Sequence, residues 1–229
     1  MSFFDLLIIG HIIAGAITLI SFWAPVILPK GSKGHIRWGR IFVRAIYAAA
    51  MMACLMGILN LMPGADRHPT LTDRALFKGL FGWMMLYLGI LSLLLTRYGT
   101  SALAARRSGQ ALTDVPTRFG LLVTGAAAAQ CGVQGFQLGN GLMMGLATLG
   151  LITVVTFGWQ AMKPAPSREG LLAEHLKAMI AAGISAYTAF LSVGLLRIVP
   201  EHVFNPLVWS APSVVGVMLI VHHLRKVRV

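Results

Sequence analysis

Seven long apolar runs, separated by short polar connectors, constrain this chain more than any other feature. A helix that crosses a membrane needs about 20 mostly apolar residues. Runs of this kind fall at residues 4–28, 41–62, 77–97, 117–138, 142–162, 174–197 and 204–224. The middle of each run holds no Asp, Glu, Lys or Arg. Because backbone groups in lipid find no water to bond, each run is predicted to be an α-helix.

The composition agrees with this interpretation. The chain of 229 residues is 57% hydrophobic and 11% charged, whereas a soluble domain carries about a quarter charged residues. The alternating segments typical of a membrane β-barrel do not appear. The start, MSFFDLLIIGHII, has no basic region or cleavage site of a signal peptide and is interpreted as the first span. We therefore expect an all-α polytopic membrane helix bundle with seven transmembrane helices, forming a single integral membrane domain over residues 1–229.

The Lys and Arg residues divide unequally between the two ends of these runs. If consecutive spans alternate in direction, 15 of the 19 basic residues fall on one side: Lys30, Lys33, Arg37, Arg40, Arg44, Arg97, Arg106, Arg107, Arg118, Lys163, Arg168, Lys177, Arg225, Lys226 and Arg228. The other side holds Arg67, Arg74, Lys78 and Arg197. Because cytoplasmic loops carry the excess of Lys and Arg, the amino terminus is predicted outside and the carboxyl terminus in the cytoplasm.

The net charge of +12 also bears on partners. The cations lie in short connectors between spans and not on a soluble face, so no nucleic-acid partner is expected. The lipid bilayer is the expected partner, and the connector KGSKGHIRWGR at residues 30–40 is placed to meet anionic headgroups. A membrane partner subunit and a second copy of the chain are both left open.

Histidine is the most informative polar residue, because the spans hold no central acids or strong bases. His11 lies about 10 Å into the first span, on a face shared with Gly15 and Thr18. The predicted cytoplasmic side holds four more: His35, His175, His222 and His223. For His35, a solvated connector residue is favoured over a ligand unless the first hairpin folds back beside His175. For His175, a local capping or orienting role in the first turn of its helix competes with ligation.

The fourth run combines small residues with amides. Its small residues predict a closely packed interior helix: Gly120, Gly125, Ala126–Ala129 and Gly132. Its amides share one helix face in the outer half: Gln130, Gln134 and Gln137. Together with Asn60, also in an outer half, and with His11, they predict a polar cavity open to the outside. Hydrogen bonding between helices explains the same residues equally well.

Three functions stay open on these residues. One is a haem-binding redox protein, because b-type haem takes axial imidazoles from facing helices and needs small residues beside the macrocycle. His11 then belongs to an outer site, and the inner candidates are His35, His175 and His223. The second is a transporter of a small solute, metal or proton through the outer cavity. The third is an accessory or assembly subunit of a membrane complex. Enzymatic activity and any bound metal stay unknown.

Other function classes find no support in the motifs. A zinc hydrolase needs about three His or carboxylate ligands, and the chain has no HExxH and no carboxylate in a span centre. Retinal chemistry needs a buried lysine in the seventh span, which has none. A Walker loop, a GxSxG motif and a dinucleotide fingerprint are also missing.

The first hairpin resembles the opening of a bacterial multi-pass membrane family catalogued as domain of unknown function 2306. The shared pattern falls on His11, Gly15, Lys30, Gly31, His35, Gly39 and Arg40. The later segment EHLKAM, with His175 and Met179, is also similar, whereas Ile36 stands where arginine is more usual. The resemblance implies a seven- or eight-pass protein of the bacterial inner membrane, and it implies no particular activity.

Overall fold

Seven helices make up the chain in a computed structural model, which describes residues 2–63, 73–108, 112, 114–162, 167–192, 194 and 205–226. They are α1 (Phe3–Ile27), α2 (Lys33–Leu61), α3 (Arg74–Ser108), α4 (Val115–Gln137), α5 (Gly141–Met162), α6 (Arg168–Ser192) and α7 (Pro206–Leu224). No strand occurs within these described ranges. The all-helical prediction is therefore confirmed.

Six of the helices, α1 to α5 and α7, are long and apolar enough to cross a membrane. This confirms a multi-pass membrane protein. The exception is α6, whose first half carries Glu174, His175 and Lys177. Its polar residues are sheltered, because α6 packs along α3 and buries Glu174 together with Ser185 and Ser192. Of the seven predicted spans, six thus correspond to helices that are long and apolar enough to cross a membrane.

Two helix boundaries differ from the predicted spans in a way that matters for the histidines. α2 begins at Lys33 and not near residue 41, because Ser32 caps it by accepting a hydrogen bond from the His35 N–H at 3.1 Å. The connector to α1 is correspondingly short, and Gly31 turns it with a positive φ of 80°. α3 continues to Ser108, well past residue 97. Hydropathy misses both extensions because they are basic.

Neighbouring helices run antiparallel, which gathers the cations at one end. α1 and α2 meet through His11 and Ala49, and α3 and α6 meet through Tyr98 and Glu174. The end at which α1 finishes and α2 begins, here called the basic end, therefore holds all the described basic residues of the larger predicted group. Lys163 and Arg228 of that group lie outside the described residues, as do two of the seven histidines, His68 and His202.

The central helix is α3, and the prediction that the fourth helix is interior is wrong. α3 contacts α2, α4 and α6, and its Tyr87 and Tyr98 also reach α5. α4 instead lies at the periphery and exposes a row of apolar side chains: Val115, Phe119, Leu122, Val133 and Phe136. Its Gly135 allows close packing against α5, since a Cβ there would lie 2.8 Å from the Met143 Cβ.

A short π-helix, Lys78–Met84, interrupts α3 where it meets α2. Asn60 on α2 donates a hydrogen bond from Nδ2 to the Phe81 carbonyl in this segment at 2.9 Å. Gly57 lies one turn earlier, and a Cβ there would come within 2.9 Å of the Leu86 backbone nitrogen. The absence of a side chain at Gly57 is therefore a condition of the α2–α3 contact.

Gly57→Ala is expected to destabilise the protein by about 1–3 kcal/mol, because the added methyl group meets backbone atoms that cannot move aside. The matched control is Gly158→Ala on α5, where a Cβ meets nothing within 4 Å. That variant is expected to be neutral or to gain up to about 1 kcal/mol from helix propensity. Thermal unfolding in detergent measures both. Equal midpoints for the two variants would show that α2 and α3 do not pack this closely.

Candidate functional site

His11 is half-buried between α1 and α2. Its Nδ1 lies 2.9 Å from the carbonyl oxygen of Ala49. A carbonyl only accepts hydrogen bonds, so Nδ1 carries the proton and Nε2 presents its lone pair. Gly15, one turn further along α1, has nothing within 4 Å of the position its Cβ would occupy. His11 thus combines a fixed tautomer with open space on the same helix face.

His35 lies in the first turn of α2, so its interpretation as a solvated connector residue is wrong. The side chain is half-buried, and Nδ1 donates to the Pro25 carbonyl near the end of α1 at 3.1 Å. Nε2 is again the nitrogen with the lone pair. Gly39, four residues on, also has open space where a Cβ would stand. His35–Gly39 therefore repeats the arrangement of His11–Gly15.

His175 lies two turns into α6, because that helix begins at Arg168, and a capping role at the helix start is excluded. Its Nδ1 donates to the Gly99 carbonyl of α3 at 2.8 Å. The close approach depends on Gly99, since a Cβ there would meet the Met179 side chain at 2.4 Å. His175 is therefore oriented by the central helix of the bundle.

The basic end brings several of these groups together. The end of α1, whose Pro25 carbonyl accepts from His35, belongs to a helix that also contacts α6, so the first hairpin does fold back beside the helix that carries His175. His223 on α7 is half-buried and interacts with Lys30 of the α1–α2 connector. His222 is exposed and touches His223 edge-on, with ring centroids 5.2 Å apart.

His11 lies in a different layer from this group. Its partner Ala49 is 14 residues along α2 from His35, which corresponds to about 21 Å of helix. The histidines with a fixed Nδ1–H are consequently arranged as one inside the bundle and two at the basic end.

A buried carboxylate adjoins His175, and sequence patterns did not single it out. Glu174 is 3% exposed. It accepts a hydrogen bond from the Tyr98 hydroxyl at 2.9 Å and pairs with the Lys177 ammonium. Tyr98 is fully buried and stacks on Phe157 of α5, with centroids 4.2 Å apart. Tyr98 and Glu174 sit at the ends of predicted spans, where a polar residue is ordinary, so only the helix pairing shows that they meet.

The predicted polar cavity is less well supported by the contacts. Gln134 donates to Gln137 at 3.2 Å on the surface of α4, where Gln137 is exposed. Gln130 is half-buried on the same helix, and Asn60 bonds to the π-helix of α3. His11 bonds to Ala49, so these hydrogen bonds join none of the amides to His11. Three buried oxygens on α2 and α6 do lack a hydrogen-bond partner: Asn60 Oδ1, Thr188 Oγ1 and Ser192 Oγ.

Ligand chemistry limits what the histidines can bind. Within the described ranges, no three His, Cys, Asp or Glu side chains are grouped so that they could hold a metal ion. A haem makes a smaller demand, because the porphyrin supplies four ligands and the protein only one or two. Histidines that bind iron usually donate their other ring N–H to a carbonyl or carboxylate. His11, His35 and His175 all meet that condition.

No protein-family model, curated protein or solved structure matches this chain. The resemblance to the family of domain of unknown function 2306 therefore stays a prediction. The chemistry of the site is accordingly argued from the histidines, glycines and carbonyls that the helices bring together.

Tyr98→Phe is expected to destabilise the protein by about 1.5–3 kcal/mol, because a buried carboxylate loses a hydrogen bond that water cannot replace. The control is Tyr47→Phe on α2, a half-buried tyrosine whose hydroxyl makes no hydrogen bond to the part of the chain that the structure describes. Its effect should stay within about 0.5 kcal/mol. Thermal unfolding of both variants in the same detergent decides the matter. A loss no greater than the control's would mean that Glu174 is not held by Tyr98.

Proposed function

We propose that this chain is a haem-binding membrane protein that transfers electrons. His35 and His175 are the proposed axial ligands of a b-type haem at the basic end, and His223 is the alternative partner there. His11 is the proposed ligand of a second site deeper in the bundle. The observation that carries the proposal is the shared geometry of the three histidines, each of which donates Nδ1–H to a main-chain carbonyl of a neighbouring helix.

The carbonyls do two things for such ligands. They hold each imidazole in the tautomer that leaves Nε2 able to bind iron, and they raise the basicity of that nitrogen. The acceptors are backbone atoms of α1, α2 and α3, so ring orientation is set by helix packing and not by a mobile side chain. Rigid orientation suits electron transfer, because the ligands then stay in place when the iron changes oxidation state.

The glycines support the same proposal. Gly15 and Gly39 stand one turn after His11 and His35, on the same helix faces, with open space beside them. A flat macrocycle bound through the histidine would lie over this part of the helix, where any larger side chain would obstruct it. At His175 the corresponding residue is Met179, which instead packs against Gly99 of α3. The glycine feature is thus confined to the first hairpin.

A bound haem would supply a one-electron Fe(III)/Fe(II) couple whose potential depends on its axial ligands. The two histidine layers are about 21 Å apart along α2, so they would place two such centres at different depths. The cations near His35 would favour the negatively charged propionates of the haem at that end. These features favour electron transfer across the bilayer over transport through the amides of α4.

The same proposal includes the membrane orientation. The basic end is proposed to face the cytoplasm of a bacterial inner membrane, with the amino terminus outside, because Lys and Arg collect there. α6 is proposed as a seventh span whose polar first half is covered by α3. Glu174 supports this, since its charge is neutralised by Lys177 and bonded by Tyr98 inside the bundle.

The first experiment is a visible absorption spectrum of detergent-purified protein, expressed with ample haem and measured oxidised and then reduced with dithionite. We expect a Soret band and resolved reduced bands. His35→Ala and His175→Ala should each remove most of the inner contribution, and His11→Ala the remainder. The control is His222→Ala, an exposed neighbour at the same end that should leave the spectrum unchanged. A flat spectrum from the unmodified protein would exclude the haem proposal.

A second test uses the open glycines. Gly39→Leu and Gly15→Leu are expected to lower haem content several-fold without lowering the unfolding temperature of the haem-free protein, because the added side chains meet no protein atoms near Cβ and leucine favours the helix. Gly158→Leu on α5 is the control, since it also has open space but no histidine one turn before it. Haem per protein is measured by pyridine haemochrome. Equal haem in all three variants would show that the macrocycle does not lie on these faces.

A further inference from the structure

An apolar groove lies between α1 and α7, with α6 as its floor. Its volume is about 210 Å³, and its walls include Phe22, Trp23, Gly183, Tyr187, Pro212 and Leu219. The Tyr187 hydroxyl accepts from Trp23 Nε1 at 2.6 Å and donates to the Leu19 carbonyl at 2.9 Å. The polar atoms of this wall are thus bonded to one another, and the groove presents hydrocarbon to whatever fills it.

Cations stand at the end of this groove nearest the basic end. Lys30 donates from Nζ to the Pro25 and Val26 carbonyls, both at 2.7 Å, which holds its ammonium over the end of α1. His223 and Lys226 lie at the end of α7, at the same end of the bundle. Partial burial and the positive charge of Lys226 both lower the pKa of Lys30. Among the described residues, none of the three forms an ion pair with a carboxylate.

The groove and the cations are continuous. Leu219 lines the groove and His223 follows it by four residues, so both lie on one face of α7 about 6 Å apart along the axis. On α1, Trp23 lines the groove and Pro25, whose carbonyl binds Lys30, is two residues further on. A molecule that extends from the groove to the cations would therefore contact hydrocarbon along its length and positive charge at one end.

We propose that an anionic phospholipid binds here, with an acyl chain in the groove and its phosphate between Lys30, His223 and Lys226. An anion would relieve the repulsion between the Lys30 and Lys226 ammonium groups, while His223 can serve as a neutral hydrogen-bond donor to the phosphate, and a lipid tail would fill the apolar groove. A free phosphate would bind the cations but leave the groove empty, and a zwitterionic lipid would fill the groove but carry no net negative charge. This proposal does not depend on the haem proposal, whose axial ligands at the basic end are His35 and His175, with His223 as an alternative partner.

The test is native mass spectrometry of the full chain in detergent, titrated with phosphatidylglycerol or with phosphatidylcholine of identical acyl chains. We expect tighter binding of phosphatidylglycerol. Lys30→Gln with Lys226→Gln should weaken it by about fivefold for each charge removed. The control pair, Lys33→Gln with Arg107→Gln, removes the same charge from the same end and should have a smaller effect. Lys30→Arg keeps the positive charge, so this variant should bind phosphatidylglycerol about as tightly as the unmodified protein does.

A second pair of variants tests the groove. Val215 lines it, whereas Val217 is exposed on another face of the same helix. Val215→Phe is expected to weaken phosphatidylglycerol binding several-fold, and Val217→Phe is expected to leave it unchanged. Equal affinity for the two lipids, or equal effects of the matched variants, would overturn the proposal. Displacement of the lipid by millimolar inorganic phosphate would overturn it as well, because the cations alone would then account for binding.

Discussion

Polar side chains inside this bundle are held by main-chain carbonyls of neighbouring helices, and the helix registers depend on those bonds. His11 bonds to α2, His175 and Asn60 bond to α3, and Tyr87 of α3 donates to the Leu146 carbonyl of α5 at 2.7 Å. In lipid no water competes for these donors, so each bond is retained and fixes one helix against the next. The same bonds orient the imidazoles, which makes the proposed ligand geometry a consequence of the packing.

The central place of α3 follows from where its small residues fall. Gly89 admits the Ala50 carbonyl of α2, since a Cβ would lie 2.9 Å from it, and Gly99 admits Met179 of α6. Between these contacts, Ser92 of α3 bonds to Ser185 of α6 at 3.0 Å. Because α6 is covered by α3 in this way, it tolerates a buried Glu174 that a helix facing lipid would not. The contact between α3 and α6 therefore explains both why α6 can carry polar residues and why α3 lies at the centre of the bundle.

Charge is organised on a larger scale than these contacts. The antiparallel order of the helices sends the basic connectors to one end, where they surround His35, His175 and His223. Lys30 differs from the other cations because two carbonyls of α1 hold its ammonium over the end of that helix. The two proposals therefore assign two kinds of negatively charged group to this region, the propionates of a haem and the phosphate of a lipid.

Hydropathy and residue counts determined that this chain is a helical membrane protein and that its cations collect at one end. They also identified His11, His35 and His175 as candidate ligands. Those properties follow from the length of apolar runs and from alternation, which are local. The helical start of α2 at His35, the peripheral place of α4, and the pairing of Glu174 with Tyr98 were decided only by tertiary structure. These three features depend on which residues of one helix face which residues of another. The spacing of residues along a single helix does not specify that pairing.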